Sequence, residues 1–436
     1  MSAPCAVVAA PASGSGKTLV TLGILRALRR RGLKVGSFKV GPDYIDAAFH
    51  AAATGEGCYN LDGWAMRFDT LAGLIEDAGR GCDFLLGEGV MGLFDGALDG
   101  SGATADLAAL FGLPVVLVVD AARMGASVAA LIDGFRRHRE DVEVTAVVLN
   151  RVGSPVHADL LLRACFEHLS TPVLGCLARE DGLGLPSRHL GLVQALEHPE
   201  LERFLDHAAA RIEAQLDLDR LLRLAAPPSI SLLGPDVRPM PPLGRKIAVA
   251  QDVAFGFVYR AVLEGWRRHG IELAPFSPLA DEAPAGDADA VYLPGGYPEL
   301  HAGLLAGNAR FLGGLRAAAA RGAWIYGECG GYMVLGEALV DGSSAVHAMA
   351  GLLPVVTSFA EPRRHLGYRR IELLAEHVLG EAGAGFRGHE FHHAREVERR
   401  GEHLFSAATA RGEPLGPQGC RVGRCAGSFL HLIDRA

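Results

Sequence analysis

The sequence predicts an α/β protein of two domains, each built on a parallel sheet covered by helices. Three observations predict it. Short runs of Val, Ile and Leu alternate with helix-period stretches through both halves of the chain. The runs are apolar throughout, as strands buried on both faces must be. A Pro-rich break divides a chain of 436 residues, a length that suits two or three domains of roughly 100–200 residues.

The elements follow in order. Residues 6–10 form the first strand candidate, and Pro11–Lys17 a Gly/Ser loop. Thr18–Arg31 repeats Leu19, Leu22, Leu25 and Leu28 at helical spacing and stops at Gly32. Further buried-type strands are expected at Val35–Val40, Phe84–Leu86, Val115–Val119 and Thr145–Leu149, with a helical stretch over about Leu190–Leu224. Pro227, Pro228, Pro235, Pro239, Pro241 and Pro242 then exclude a regular helix or a central strand. The expected division is a first domain at 1–224, a linker at 225–243 and a second domain at 244–436. The second domain opens with a strand at Lys246–Ala250. A helix at Phe257–His269, a strand at Ala290–Leu293, a helix at Asn308–Arg321 and a strand at Ala323–Tyr326 follow. A β-rich end closes at Phe429–His431.

Composition excludes several function classes. There are 42 Lys and Arg against 50 Asp and Glu, a net charge of −8, which lacks the basic excess of a nucleic-acid binder. Half the chain is hydrophobic (49%), so it can offset its ordering entropy and is not disordered. The longest apolar stretch, around Leu113–Val119, falls short of the roughly 20 residues a membrane span needs. Met1-Ser-Ala-Pro-Cys-Ala-Val-Val lacks the basic start of a signal peptide. Cys5, Cys58, Cys82, Cys165, Cys176, Cys329, Cys420 and Cys425 form no CxxC pair and read as reduced thiols of a cytoplasmic protein.

Ala10-Pro-Ala-Ser-Gly-Ser-Gly-Lys-Thr18 lies between a strand and a helix, where a phosphate loop sits. Backbone N–H groups of Ser13, Gly14, Ser15, Gly16 and Lys17 would wrap the phosphates of ATP at the helix N-terminus. Lys17 would reach the β- and γ-phosphates, and Thr18 would ligate Mg²⁺. Pro11 stands where the common pattern has its first Gly. Two acidic clusters follow strands, Lys39-Val-Gly-Pro-Asp43-Tyr-Ile-Asp46 and Leu86-Gly-Glu88-Gly-Val-Met-Gly-Leu-Phe-Asp95-Gly. The carboxyl ends of parallel strands gather ligands, and Mg²⁺ takes one or two carboxylates beside phosphate oxygens. Asp46, Glu88 and Asp95 are therefore candidates, with solvated turn acids as the alternative.

In the second half, Tyr326-Gly-Glu-Cys329-Gly-Gly-Tyr-Met-Val-Leu-Gly336 places a cysteine between a strand and a helix. A nucleophile at such a turn needs small neighbours, and a helix N-terminus is expected to lower its thiol pKa. Leu293-Pro-Gly-Gly-Tyr-Pro-Glu299 offers the N–H groups of Gly295 and Gly296 for an oxyanion hole. Gly427-Ser-Phe-Leu-His431-Leu offers His431 as the general base.

These motifs resemble two known enzyme types fused in one chain. The second half is similar to class I glutamine amidotransferases. The loop Ser13–Thr18, the runs Ser37–Asp46 and Glu88–Gly96, and Val148-Leu-Asn-Arg-Val-Gly153 resemble the cobyrinic/hydrogenobyrinic acid a,c-diamide synthase family. The segment Leu185-Pro-Ser-Arg-His-Leu-Gly-Leu-Val193 matches it too. That family's first half is P-loop NTPase-like and related to dethiobiotin synthetase. The resemblance implies ATP-driven activation of carboxylates of a corrinoid, followed by amidation with ammonia from glutamine. It implies Asn150 near the adenine, and Lys39, Asp43, Tyr44, Ile45, Asp95 and Arg188 toward the substrate, with Thr18, Asp46 and Glu88 holding the metal. Arg123, Arg179, Arg188 and His189 are cations that could meet substrate carboxylates. Leu366-Gly-Tyr368 and Gly388-His-Glu-Phe-His-His393 belong to the same pattern without an assigned role. Many triad amidotransferases carry Glu two residues after the His, where this chain has Ile433, and Asp434 is offset on a strand. A Cys–His dyad is expected, its third group open.

Sister activities, nickel-sirohydrochlorin a,c-diamide synthase and cobyric acid synthase, remain alternatives. So does a different class, a partitioning-type ATPase, although Gly427–Ala436 shows neither a basic face nor an amphipathic helix. The expected partners are small molecules (corrinoid polycarboxylate, glutamine and ATP), with no nucleic acid and no membrane. The oligomeric state is open, a homodimer included.

Overall fold

The computed structural model describes residues 3–180, 194–229 and 240–436, together with the backbone of Ser187–Arg188 and Gly191–Leu192. The chain forms two compact units: Met1–Trp64 with Phe68–Asp236, and Ala65–Arg67 with Val237–Ala436.

The first unit begins β1 (Cys5–Ala9), α1 (Lys17–Arg30), β2 (Val35–Val40), α2 (Tyr44–Thr54), β3 (Tyr59–Leu61), α3 (Phe68–Gly79) and β4 (Phe84–Glu88). It continues α4 (Thr104–Phe111), β5 (Val115–Asp120), α5 (Ser127–Arg137), β6 (Val144–Val152), α6 (Pro155–His168) and β7 (Val173–Ala178). The short pair β8 (Ser187–Arg188) and β9 (Gly191–Leu192) precedes α7 (Leu201–Gln215) and α8 (Leu218–Leu224). Seven strands pair in the order β3-β2-β4-β1-β5-β6-β7, every pairing parallel. Chain order reverses beside β1, so the carboxyl ends of β4, β1 and β5 flank the crevice where open α/β sheets hold ligands. All five residues of β1 are buried, which explains why its sequence is apolar without alternation.

The helical stretch expected from Leu190 is corrected. Residues 195–197 form a single 3₁₀ turn, and α7 starts at Leu201, because Pro199 cannot continue a helix from upstream. The Pro-rich segment is tied down at both described ends. Ala226 pairs with Cys5 (N···O 2.9 Å), Ser229 N–H donates to Phe111 (2.8 Å), and the Met240 carbonyl accepts Trp266 Nε1–H (3.1 Å). Residues 230–239 of the expected linker lie outside the described residues.

The second unit runs β10 (Lys246–Ala250), α9 (Arg260–Arg268), β11 (Glu272–Phe276), β12 (Ala290–Leu293), α10 (Ala302–Gly307), α11 (Ala309–Ala320), β13 (Trp324–Glu328) and α12 (Gly330–Leu335). Then come β14 (Ala338–Val340), β15 (Val346–Ala348), β16 (Val355–Ser358), β17 (His365–Leu373), β18 (Gly385–His392) and β19 (Arg395–Arg399). The chain ends with β20 (Phe405–Thr409), β21 (Pro414–Gln418), β22 (Cys420–Val422), β23 (Cys425–Ser428) and β24 (His431–Arg435). The central sheet is β11-β10-β12-β13-β23-β22, parallel except for β22. A five-stranded antiparallel sheet, β21-β20-β17-β18-β24, and a smaller one, β15-β14-β16-β19, complete the unit. Phe255, Phe311, Leu315, Ile325 and Tyr332 are among the fully buried side chains of its core. The last strand starts at His431 rather than ending there, because residues 429 and 430 make the turn between β23 and β24. Among the described residues no helix is long and apolar enough to cross a membrane.

Candidate active sites

In the first unit the loop after β1 enters α1 through Gly16, whose φ of 90° lies in the left-handed region. A Cβ there would stand 2.3 Å from Asn150 Nδ2. That amide instead donates to the Ser15 carbonyl (2.9 Å), while its oxygen accepts the Arg151 N–H. Asn150, at the end of β6, thus shapes the loop directly. Ser15 Oγ donates to Ala12 (2.9 Å), closing the loop on itself.

Beneath the loop, carboxyl ends of neighbouring strands converge. Thr18 Oγ1 donates to Glu88 Oε1 at 2.7 Å, and Lys39 Nζ donates to the same oxygen at 2.9 Å. Lys39 Nζ also meets Asp46 Oδ2 at 2.7 Å. On the other side His50 Nε2 lies 2.7 Å from Glu88 Oε2, with Cys58 Sγ 3.7 Å from His50 Nδ1. Parallel register sets Lys39 opposite Glu88, so the pair is a property of the sheet. Glu88 is fully buried and Lys39 3% exposed. Burial opposes charge on Glu88, but Lys39, His50 and Thr18 hold its carboxyl well below the ordinary range. Burial, then the Asp43 carboxylate, raises Asp46 to about 7 in spite of Lys39. Burial also opposes charge on His50, yet Cys58 and Glu88 bring it up to about 10. Thr18, Asp46 and Glu88 offer hard oxygen donors that fit Mg²⁺, and the Lys39 ammonium supplies positive charge between the two carboxylates.

The remaining predicted residues divide by role. Lys17 is buried and donates to the Met91 carbonyl in the loop after β4, its pKa lowered by burial and then by Lys39. Asp95 Oδ2 accepts the Gly92 N–H (2.9 Å) and bends that loop. Asp43 caps α2, its Oδ1 accepting Ile45 N–H (2.8 Å) and Asp46 N–H (3.0 Å). Tyr44 is half-buried, Ile45 is buried, and Arg123 and Arg179 are exposed. The side chains of Arg188 and His189 lie outside the described residues. His50 and Cys58 escaped the sequence reading.

In the second unit Cys329 sits at the end of β13 with φ 47° and ψ −103°, a conformation uncommon outside Gly. Its N–H donates to Ser428 (2.8 Å). Gly331 makes the sharp turn into α12 feasible, since a Cβ there would lie 2.0 Å from the Leu293 carbonyl. Gly295 faces the centre: its Cβ position is 3.4 Å from Cys329 Cβ, 3.3 Å from His431 Nε2 and 2.4 Å from His431 Cε1. The chain thereby brings together Cys329, His431 and Gly295. Gly296 lies alongside, its N 3.1 Å from where a Gly330 Cβ would be.

The expected lowering of the Cys329 pKa is corrected. Burial pushes the thiol well above its ordinary range, and the Glu299 charge adds to this, against one hydrogen bond from the Gly330 backbone. A helix of six residues does not outweigh full desolvation. Burial, then His389 and His392, holds His431 well below its ordinary range. The resting pair is thiol and neutral imidazole, the state in which a general base can act. The His389 ring stacks on His431 at 4.8 Å, and its Nδ1 lies 3.1 Å from the Tyr259 hydroxyl.

Nearby, a cavity of about 390 Å³ is lined by Arg363, His365, Arg369, Glu390, His392 and Phe429, among others. Donor atoms of His365, Glu390 and His392 lie within 4.8 Å of one another. Arg369 Nε and Nη2, however, hold Glu390 Oε2 at 2.8 Å each, so this cluster is neutralised as an ion-pair network.

A P-loop nucleotide site and an elbow-borne Cys–His pair define a glutamine amidotransferase fused to a nucleotide-binding domain. The family models agree in place and order. Residues 6–193 match the CobQ/CobB/MinD/ParA nucleotide binding domain, and residues 246–435 the CobB/CobQ-like glutamine amidotransferase domain. The chain belongs to the hydrogenobyrinate a,c-diamide synthase family. It is 54% identical to the hydrogenobyrinate a,c-diamide synthase of Brucella anthropi over 98% of each chain. Identity is again 54% to that of Sinorhizobium sp, over 99% of this chain and 98% of that one. To the Rhodobacter capsulatus protein of the same name it is 51%, over 98% of each.

Proposed function

We propose that the chain amidates the a and c carboxylates of hydrogenobyrinate, using ATP and glutamine, in cobalamin biosynthesis. The observation that carries this reading is identity above 50% along nearly the whole length of synthases of that name, in a chain that contains both the P-loop and the cysteine elbow. The relatives' names also favour the cobalt-free ring over cobyrinic acid. The eight cysteines are free thiols, in keeping with work in the cytoplasm.

Carboxylates do not condense with ammonia near neutral pH, so each must first be activated. A substrate carboxylate oxygen attacks the γ-phosphorus of ATP, giving an acyl phosphate and ADP. The N–H groups of Ser13–Lys17 cradle the phosphates, and Lys17 leaves the Met91 carbonyl to pair with them. Thr18, Asp46 and Glu88 would hold Mg²⁺, which supplies charge neutralisation at the phosphate oxygens. In this scheme the acceptor ring is assigned to Lys39, Asp43, Tyr44, Ile45, Asp95 and Arg188, with Asp43 and Asp95 acting through the helix cap and the loop they hold, and Asn150 sets the phosphate loop.

Nitrogen comes from glutamine. His431 Nε2 takes the Cys329 proton, and sulfur attacks the side-chain amide. The N–H groups of Gly295 and Gly296 stabilise the oxyanion. Ammonia leaves with the proton returned by His431, and water hydrolyses the thioester to glutamate. Ammonia then displaces phosphate from the acyl phosphate.

The test is incubation of the purified enzyme with hydrogenobyrinate or cobyrinate, ATP and either glutamine or ammonium, read by mass spectrometry. Two carboxyl-to-carboxamide conversions are expected on the cobalt-free ring. Cys329→Ala should lose the glutamine-driven reaction and keep the ammonium-driven one. Loss of both in a folded variant overturns the division of labour.

A further inference from the structure

In many triad amidotransferases a glutamate two residues beyond the histidine orients the imidazole. Here that position is the buried apolar Ile433. Asp434 does not substitute. It is fully buried and engaged with Arg67, accepting its backbone N–H at 3.0 Å and pairing with Nη2 at 2.9 Å.

A different carboxylate reaches the ring. Glu328, the last residue of β13 and the neighbour of the nucleophile, is 3% exposed. Its Oε1 accepts the N–H of Leu432 at 3.3 Å, and its Oε2 accepts the Tyr292 hydroxyl at 2.9 Å. The same Oε2 lies 3.9 Å from His431 Nδ1. Glu328 thus grips the backbone just after His431 while facing its Nδ1 edge, and the Nε2 edge borders Gly295 beside Cys329. Catalytic hydrogen bonds are often long before substrate binds and tighten in the reacting complex.

We propose that Glu328 is the positioning carboxylate of the Cys329–His431 pair, supplied from the residue before the nucleophile instead of from the strand after the histidine. This rests on the glutaminase reading above. As the thiol proton moves to Nε2 and the sulfur electron pair forms the C–S bond, the ring becomes an imidazolium. Glu328 fixes its Nδ1–H tautomer beforehand and stabilises the cation afterwards. The surrounding ionisable groups are Tyr292 and Tyr326 against Glu328, His389 and His392 against His431, and Glu299 and Glu390 around Cys329. Burial raises Glu328 to about 7 against the hydrogen bonds it accepts, so its charge develops across the neutral range.

The experiment measures glutamate release by the full chain as a function of glutamine and pH, for wild type, Glu328→Gln and Glu328→Asp. We expect Glu328→Gln to lower kcat by about 10²-fold or more, toward the roughly 10⁴-fold loss seen when a triad acid becomes its amide. KM for glutamine should change little, and the acidic limb near pH 7 should vanish. Glu328→Asp should recover part of kcat with a displaced limb. Ammonium-driven amidation in the same preparations reports that the variants are folded. Wild-type kcat in Glu328→Gln, or a lower kcat with the acidic limb in place, overturns the proposal. If wild type releases no glutamate, or Cys329→Ala still does, the glutaminase reading itself has failed.

Discussion

Gly295 packs against the imidazole of His431, so close that a Cβ atom would stand 2.4 Å from Cε1. The main chain at this residue therefore leaves no room for a side chain between it and the ring.

Gly295→Ala should push His431 away from Cys329. Glutamate release is expected to fall by at least about 10²-fold, the cost of losing one oxyanion donor or more. Ammonium-driven amidation should persist. Near wild-type glutaminase activity in this variant would remove Gly295 from the site.

Gly16→Ala would place a Cβ 2.3 Å from Asn150 Nδ2 at a φ of 90°. Such a backbone costs a non-Gly residue about 1–3 kcal/mol, and the loop must shift to relieve the clash. ATP affinity, measured by nucleotide titration, should drop at least about tenfold. An unchanged affinity would mean the loop does not cradle phosphate.

Lys39→Met removes the buried cation between Asp46 and Glu88. Breaking a buried ion pair from one side costs about 3–5 kcal/mol, which urea denaturation of the variant against wild type can read. Both glutamine- and ammonium-driven amidation should be lost. A variant as stable as wild type would show that the carboxylates do not depend on Lys39.

Stability against pH should carry an opposing pair of signatures. Glu328, raised to about 7 by burial, binds its proton more tightly when folded. Its contribution is fully present below about 4.5, the unfolded value, and is lost as pH rises to about 7, by at most about 3 kcal/mol. Glu390 is lowered to about 2, burial notwithstanding, by His392 and Arg369. Its contribution is present above about 4.5 and is lost as pH falls toward 2. Glu328→Gln should flatten the slope between pH 4.5 and 7 in thermal melts and leave the acid side unchanged. A slope that survives the substitution would assign it elsewhere.

What could be read in the sequence was local. The phosphate loop and the cysteine elbow are contiguous motifs whose glycines mark sharp turns, and the apolar strands announce their burial. The edge strands β3 and β7 were not legible, because Tyr59–Leu61 is three residues long and Val173–Ala178 is only partly buried. His50 and Cys58 join Glu88 only through the packing of α2 and β3, a relation no spacing rule encodes. Asp43 could have been recognised as a helix cap from its place just before an apolar helical run. The rise in the Cys329 pKa was hidden for another reason: the motif shows the helix terminus but not the depth of burial that outweighs it.

That depth has a chemical consequence for the resting enzyme. A sulfur kept in its protonated form, with 2% of its residue exposed, reacts poorly with peroxide and electrophiles, because the thiolate is the form that attacks them. In the proposed reaction that thiol becomes reactive when the His431 imidazole withdraws its proton.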